Sequence, residues 1–249
     1  MAITANAAIQ PSEWHSAGIR GHKIHYALKE GGALKGNGPA LVLLHGGGDS
    51  GENSFARQLD FFAQNHRIVV PDQVGQGRTP DADVRLTYGG MMQDTAALLQ
   101  HLGIEQADII GFSDGGILAL MLAVRHPELV RRVIVSGVNI SPEGLQAENL
   151  QTLRSIQNPW PRTIDEKLAH LWLTSPTEEE LSLAMLAKIQ QSVLVICGDR
   201  DAVTLEHTVA IFHALPRAEL CVLPGTHHGT FSSRPEWLNP ILGAFLQRP

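Results

Sequence analysis

Cysteine is scarce: the 249 residues hold only Cys197 and Cys221. Each lies in an apolar, β-branched stretch, VLVIC and LCVL, where a thiol is expected as a small buried core residue. One pair is too few for a disulfide scaffold or a zinc site. No run of about 20 apolar residues is present to span a bilayer. No basic run is present either, and 19 Lys and Arg against 25 Asp and Glu give a formal charge of −6. That balance argues against nucleic acid or an anionic membrane as the main partner. Met1 to Pro11 has neither a basic start nor a long apolar run, so no secretion signal is expected and the expected location is cytoplasmic.

What is present describes one soluble globular unit. Hydrophobic residues make up 43% and charged residues 18%, ordinary values for such a chain. At this length roughly 70–75% of the unfolded surface is buried on folding, so no metal or disulfide is needed to stabilise the core. Short Val- and Ile-rich runs alternate with longer amphipathic segments, the pattern of β-α-β units around a parallel sheet. Core strands are predicted at Ala40–Leu44, Arg67–Val70, Ala107–Gly111, Arg132–Val135, Ser192–Cys197 and Glu219–Leu223. Several are apolar on both faces, as strands covered by helices should be. An antiparallel opening is predicted to precede them, turning at Arg20-Gly21-His22 and ending near Leu28.

Helices are predicted from near Ser54 to Gln64, over Thr87–Leu102 with Gly103 at the C-cap, and over Ile117–Arg125, Leu205–Leu215 and Pro235–Leu246. Residues 141–190 contain no convincing strand. They read as three short helices, Leu145–Ile156, Ile164–Leu173 and Glu178–Ile189, forming an insertion over the sheet. The expected organisation is a core of 1–140 and 191–249 with a helical cap at 141–190.

Four segments carry the chemistry. Gly111-Phe112-Ser113-Asp114-Gly115 is a G-x-S-x-G between a buried strand and a helix. A serine on so sharp a turn has a strained backbone, and bulky residues two positions away would collide with the turn. Its hydroxyl is a poor nucleophile until a base takes the proton. Pro224-Gly225-Thr226-His227-His228-Gly229 supplies a loop histidine after the last strand; spacing from the start of the loop favours His228 over His227. The imidazole needs an acid to fix its tautomer. Asp199 and Asp201 both follow a buried strand, and Asp201, farther from the strand end, is the favoured partner, with Asp199 as a turn residue.

The fourth segment, His45-Gly46-Gly47-Gly48, lets backbone amides approach a substrate oxyanion. The amides of Gly47 and Asp114 are the expected donors, and His45 is expected to hold the loop. A phosphate loop is disfavoured because the glycine run lacks the G-K-[ST] ending. Phe112, Trp160, Leu171, Trp172 and Met185 are candidate pocket walls.

These segments occur in the order oxyanion loop, Ser, Asp, His, and together they resemble the α/β-hydrolase family across nearly the whole chain. Pro71-Asp72-Gln73-Val74-Gly75-Gln76-Gly77-Arg78-Thr79 resembles that family's D-x-x-G-x-G-[RK]-[ST] loop. The resemblance implies a mostly parallel eight-stranded sheet with a short helical cap, and a metal-free and cofactor-free serine esterase with Ser113, His228 and Asp201 as its triad. Relatives with an aspartate at the elbow, dehalogenases and epoxide hydrolases, are set apart by Ser113. The triple glycine is similar to hormone-sensitive-lipase-like esterases, whose elbow usually reads G-D-S-A-G. Ser113-Asp114-Gly115-Gly116 instead resembles biphenyl-hydrolase-like esterases, in which the acid after the serine can read a substrate ammonium; Asp114 is alternatively an ordinary first-turn acid favoured by the helix dipole. The implied partner is a small ester. A lactonase, a C–C bond hydrolase, a lyase, a perhydrolase or a non-catalytic ligand receptor would keep the same serine.

Overall fold

The computed structural model describes residues 12–29 and 39–248. The expected features of Met1 to Pro11 lie outside the described residues. The described residues begin with strands β1 (Glu13–Ile19) and β2 (His22–Lys29), then β3 (Ala40–Leu44), the short helices α1 (Gly51–Ser54) and α2 (Leu59–Ala63), and β4 (Arg67–Pro71). It continues through α3 (Tyr88–His101), β5 (Ala107–Phe112), α4 (Asp114–Arg125) and β6 (Val130–Ser136). Three helices follow, α5 (Ala147–Ser155), α6 (Ile164–Thr174) and α7 (Leu183–Leu186). The last elements are β7 (Ser192–Gly198), α8 (Leu205–Ala214), β8 (Ala218–Leu223), α9 (Thr230–Ser233) and α10 (Pro235–Leu246).

The eight strands form one sheet in the order β1-β2-β4-β3-β5-β6-β7-β8. The opening pair is antiparallel, β2 meets β4 antiparallel, and every later pairing is parallel. The turn between β1 and β2 puts Arg20 and Gly21 at φ 49° and 90°, the left-handed geometry that matches a hairpin's twist. Leu41 to Leu44 and Val193 to Gly198 are buried throughout, because helices cover both faces of the sheet. One apolar layer joins the sheet to α3, α4 and α8 through residues such as Leu98, Leu120 and Ile211. The other joins it to α2, α9 and α10 through Phe62, Phe231 and Leu242, with Phe55 just after α1. Cys197 is buried and Cys221 half-buried, both as free thiols, and burial pushes the Cys197 thiol up to about 11. No helix among the described residues is long and apolar enough to cross a membrane.

Three predicted helices differ from the observed ones. The segment read as one helix from Ser54 to Gln64 is two, α1 and α2. Helix α4 starts at Asp114, before its first bulky apolar residue, because Ser113 itself occupies the N-cap. The helix expected over Glu178–Ile189 is helical only at Leu183–Leu186. Upstream, the Thr177 amide donates to Glu180 Oε2 at 2.9 Å and the Glu180 amide to Thr177 Oγ1 at 3.3 Å. These reciprocal bonds close a single turn, and the adjacent charges of Glu178, Glu179 and Glu180 disfavour its extension.

Strand register brings the chemistry together. Leu44 pairs with Gly111, Phe112 with Ser136, Ser136 with Ile196 and Gly198 with Leu223. The loops leaving β3, β5, β6, β7 and β8 therefore emerge side by side at one carboxyl edge, where parallel sheets place their ligands.

Candidate active site

Ser113 leaves β5 at φ 51° and ψ −119°, a conformation that costs a non-glycine residue about 1–3 kcal/mol. The surroundings enforce it. A Cβ at Gly111 would lie 2.2 Å from the Gly115 carbonyl oxygen, and one at Gly115 would lie 2.0 Å from that of Leu44. The elbow therefore needs glycine at both positions, and it presents the serine hydroxyl at the N-terminus of α4.

Ser113 Oγ lies 3.0 Å from His228 Nε2, and His228 Nδ1 lies 2.6 Å from Asp201 Oδ1. For Nε2 to accept the serine proton, Nδ1 must carry the ring hydrogen and donate it to Asp201. The amides of Gly198 and Val203 donate to Asp201 at 3.2 Å each. Burial pushes the Asp201 carboxyl up, but the His228 hydrogen bond and charge, with these two amides, outweigh it and hold the group below the usual carboxylate range. It is thus kept as an anion.

The competing residues lie elsewhere. The exposed His227 places Nδ1 3.2 Å from the Arg200 carbonyl oxygen. Asp199 accepts from the Thr226 amide at 3.0 Å, and its bonds to the Gly225 and Thr226 amides hold its carboxyl below its ordinary value. It organises the loop that carries His228.

The His45–Gly48 loop is held from below. The Gln73 amide donates to His45 Nε2 at 2.9 Å, so His45 Nδ1 is the donor to the Gly46 carbonyl oxygen at 2.8 Å. The Gly48 amide donates to Gln76 Oε1 at 2.8 Å. Buried Asp72 accepts from the amides of Gly51 and Arg78 at 2.9 and 2.8 Å. The Pro71–Thr79 segment is therefore the scaffold of the glycine loop. A Cβ at Gly47 would lie 2.3 Å from Asp114 Oδ2 and 2.6 Å from Trp172 Cζ2, so the Gly47 backbone rests directly on the start of α4.

Asp114 is the least ordinary group here. Its carboxylate is buried and accepts from the Tyr88 hydroxyl at 2.9 Å and from Trp172 Nε1 at 3.0 and 2.9 Å. Burial raises its carboxyl above the ordinary value, with the Trp172 and Tyr88 hydrogen bonds pulling the other way. Tyr88, itself fully buried, is pushed well above the usual phenol value by burial and by Asp114.

A cavity of about 220 Å³ opens at Ser113 and His228, with Asp114 and Trp172 in its wall. Leu145, Leu153 and Ala202 give it apolar surface; Asn139, Asn149 and Thr152 give it polar surface. Four of the expected wall residues lie outside this lining. Phe112 packs against the base, its ring centroid 5.0 Å from that of His228. Trp160 is 82% exposed and borders a different cavity; its amide donates to Asn158 Oδ1 at 2.9 Å, which turns the Pro159-Trp160-Pro161 segment outward. Leu171 belongs to the core, and neither it nor Met185 borders the Ser113 cavity. Gly137, missed in the sequence, is required: at φ 63°, a Cβ there would sit 2.7 Å from His228 Cε1. Its place immediately after a buried strand was the available signal. Among the described residues no cluster of three or more His, Cys, Asp or Glu side chains is placed to hold a metal ion.

The sheet order and strained serine elbow define a class, and comparison with known proteins agrees. The family model of the alpha/beta hydrolase fold matches residues 39–172. The chain belongs to the α/β-hydrolase family. It is 37% identical over 110 residues to 2-hydroxymuconate semialdehyde hydrolase of Pseudomonas putida, a match that spans 41% of this chain and only 37% of that relative. It is 29% identical over 236 residues to 2-hydroxy-6-oxo-6-phenylhexa-2,4-dienoate hydrolase of Burkholderia cepacia, covering 78% of this chain and 82% of the relative. Among solved structures, the enol-lactonase of Burkholderia xenovorans LB400 superposes with a TM-score of 0.77 at 20% identity, over 94% of this chain and all of that one. That last likeness speaks to fold alone.

Proposed function

We propose that the protein is a serine hydrolase that cleaves small, uncharged carboxylic esters through an acyl-enzyme, with Ser113 as nucleophile, His228 as base and Asp201 as its orienting acid. The observation that carries this reading is the relay of 3.0 Å from Ser113 to His228 and 2.6 Å from His228 to Asp201. Ser113 Oγ attacks the ester carbon while its proton passes to His228 Nε2. The carbonyl electron pair moves onto oxygen, held by the amides of Gly47 and Asp114. Collapse expels the alkoxide, which takes the proton from Nε2. Water then attacks the acyl-enzyme, giving its proton to His228, and the second collapse releases the acid and returns the proton to Ser113.

The cavity argues for the class of substrate. At about 220 Å³ it is below the roughly 300–1,000 Å³ common for drug-sized ligands, which suits a short acyl group. The dienoate named for one relative is an anion. The wall here has no Lys or Arg and contains the Asp114 carboxylate, so an anionic substrate would be poorly compensated. A substrate ammonium would have to compete with Trp172 and Tyr88 for Asp114.

The test is labelling by a fluorophosphonate probe, followed by turnover of matched nitrophenyl esters, lactones, amino-acid esters and a dienoate. Ser113→Ala and His228→Ala should each abolish labelling or turnover to the same degree, without additivity, and His227→Ala should be mild. Turnover above a tenth of wild type in Ser113→Ala would end the mechanism. Faster turnover of the dienoate than of the esters would reassign the substrate.

A further inference from the structure

A second cavity, of about 600 Å³, lies beside α6 and shares no wall residue with the Ser113 cavity. Its apolar surface comes from Val84, Leu86 and the Pro159-Trp160-Pro161 segment. Trp160 is 82% exposed, so its indole face is open to a ligand in the cavity.

The same walls carry three cations, with the carboxylates of Asp81 and Glu166 close by, at Lys167 Nζ and at the Arg162 amide. Arg85, Arg162 and Lys167 face one wall carboxylate, Asp83. Lys167 is engaged by Asp81 at 2.9 Å, whereas the guanidinium groups of Arg85 and Arg162 have no partner among the described residues. His170 adds a buried Nδ1 with no hydrogen-bond partner. An aromatic platform beside unpaired planar cations matches a flat apolar body with a carboxylate, because guanidinium binds carboxylate in a bidentate fork.

We propose that this cavity binds an aromatic carboxylate, at a site separate from the one that holds Ser113. Trp160 stacks on the ring, and Arg162 and Arg85 hold the carboxylate. The site uses no residue of the Ser113–His228–Asp201 relay and does not depend on the ester reading.

The experiment is calorimetric titration of the whole protein with 2-naphthoate and with the neutral analogue 2-naphthalenemethanol. Saturable one-to-one binding of the naphthoate is expected, with the neutral analogue at least about tenfold weaker. Trp160→Ala and Arg162→Gln, both exposed and checked by thermal melting for an unchanged fold, should each weaken binding by about tenfold or more. The absence of saturable heat would overturn the proposal. So would binding unaffected by both substitutions, which would place the ligand elsewhere, or equal binding of the neutral analogue. Trp160-dependent adsorption to phosphatidylglycerol vesicles without naphthoate binding would overturn it in favour of a membrane contact.

Discussion

Trp172→Phe isolates the bond that fastens α6 to the nucleophile elbow. Phenylalanine keeps an aromatic ring but removes Nε1–H, which donates to both oxygens of Asp114 at 3.0 and 2.9 Å. A hydrogen bond to a buried charged group is worth about 1.5–3 kcal/mol. For a chain of this length each kcal/mol moves the melting temperature by roughly 2–4 °C, so a fall of about 3–12 °C is expected at neutral pH. The pH dependence identifies the cause. Burial already raises the Asp114 carboxyl above its ordinary value, so the native state holds its proton longer than the unfolded chain. Native stability therefore falls as pH rises from the unfolded pKa to the folded one, and is level above that. Removing the indole donor raises the folded value further and extends the loss to higher pH. The gap between the two proteins should be smallest in acid, where Asp114 is neutral in every state. It should open as pH rises, by about 1.4 kcal/mol for each tenfold gain in proton affinity. Melting curves by circular dichroism across the acid-to-neutral range measure this. A melting temperature unchanged at all pH values, or a fall that does not vary with pH, would refute the reasoning.

Asp201→Asn should lower kcat on a nitrophenyl ester by about 10⁴-fold, since the amide fixes the wrong imidazole tautomer, while Asp199→Asn should cost far less; the reverse order would reassign the acid. Gly47→Ala places a Cβ 2.3 Å from Asp114 Oδ2 and 2.6 Å from Trp172 Cζ2. Displacing that amide should lower kcat by about 10²-fold or more, and unchanged turnover would show that Gly47 is not a donor. Ser113→Gly should abolish turnover yet raise the melting temperature, because glycine relieves a φ of 51° that costs about 1–3 kcal/mol, against about 0.4–1 kcal/mol of added unfolded-chain entropy. A fall in melting temperature would show that the elbow stores no strain.

The strands were legible because burial on both faces leaves a continuous apolar run, as at Leu41–Leu44 and Ile109–Ile110. Helix starts were less legible where glycine replaces apolar periodicity: the helix predicted from Ile117 begins at Asp114, with Gly115 and Gly116 in its first turn. The relay at Ser113, His228 and Asp201 could be read because each residue sits in a short local motif at a strand's carboxyl end. The cavity wall could not. Asn139, Asn149, Thr152 and Leu153 enter it from a loop and helix far from Ser113 in sequence, and their convergence is a product of packing. Tyr88 was invisible for the same reason: nothing local marks a helix-start tyrosine as the donor to an acid 26 positions away.

Asp114 shows how one residue can carry two incompatible readings until its surroundings are known. As a reader of a substrate cation, it would need a carboxylate turned toward the cavity with its acceptor sites free. Instead Trp172 and Tyr88 already occupy it, one from α6 and one from the start of α3. An anion beside the backbone amide proposed to hold an oxyanion would oppose the reaction. The Trp172 and Tyr88 donors spread that charge over their hydrogen bonds. The same contacts press Asp114 and Trp172 against Gly47, so the position of α6 and the placement of the glycine loop are set by one carboxyl group. Substitutions on the buried side of α6 should therefore reach the chemistry through Asp114, without any contact with substrate.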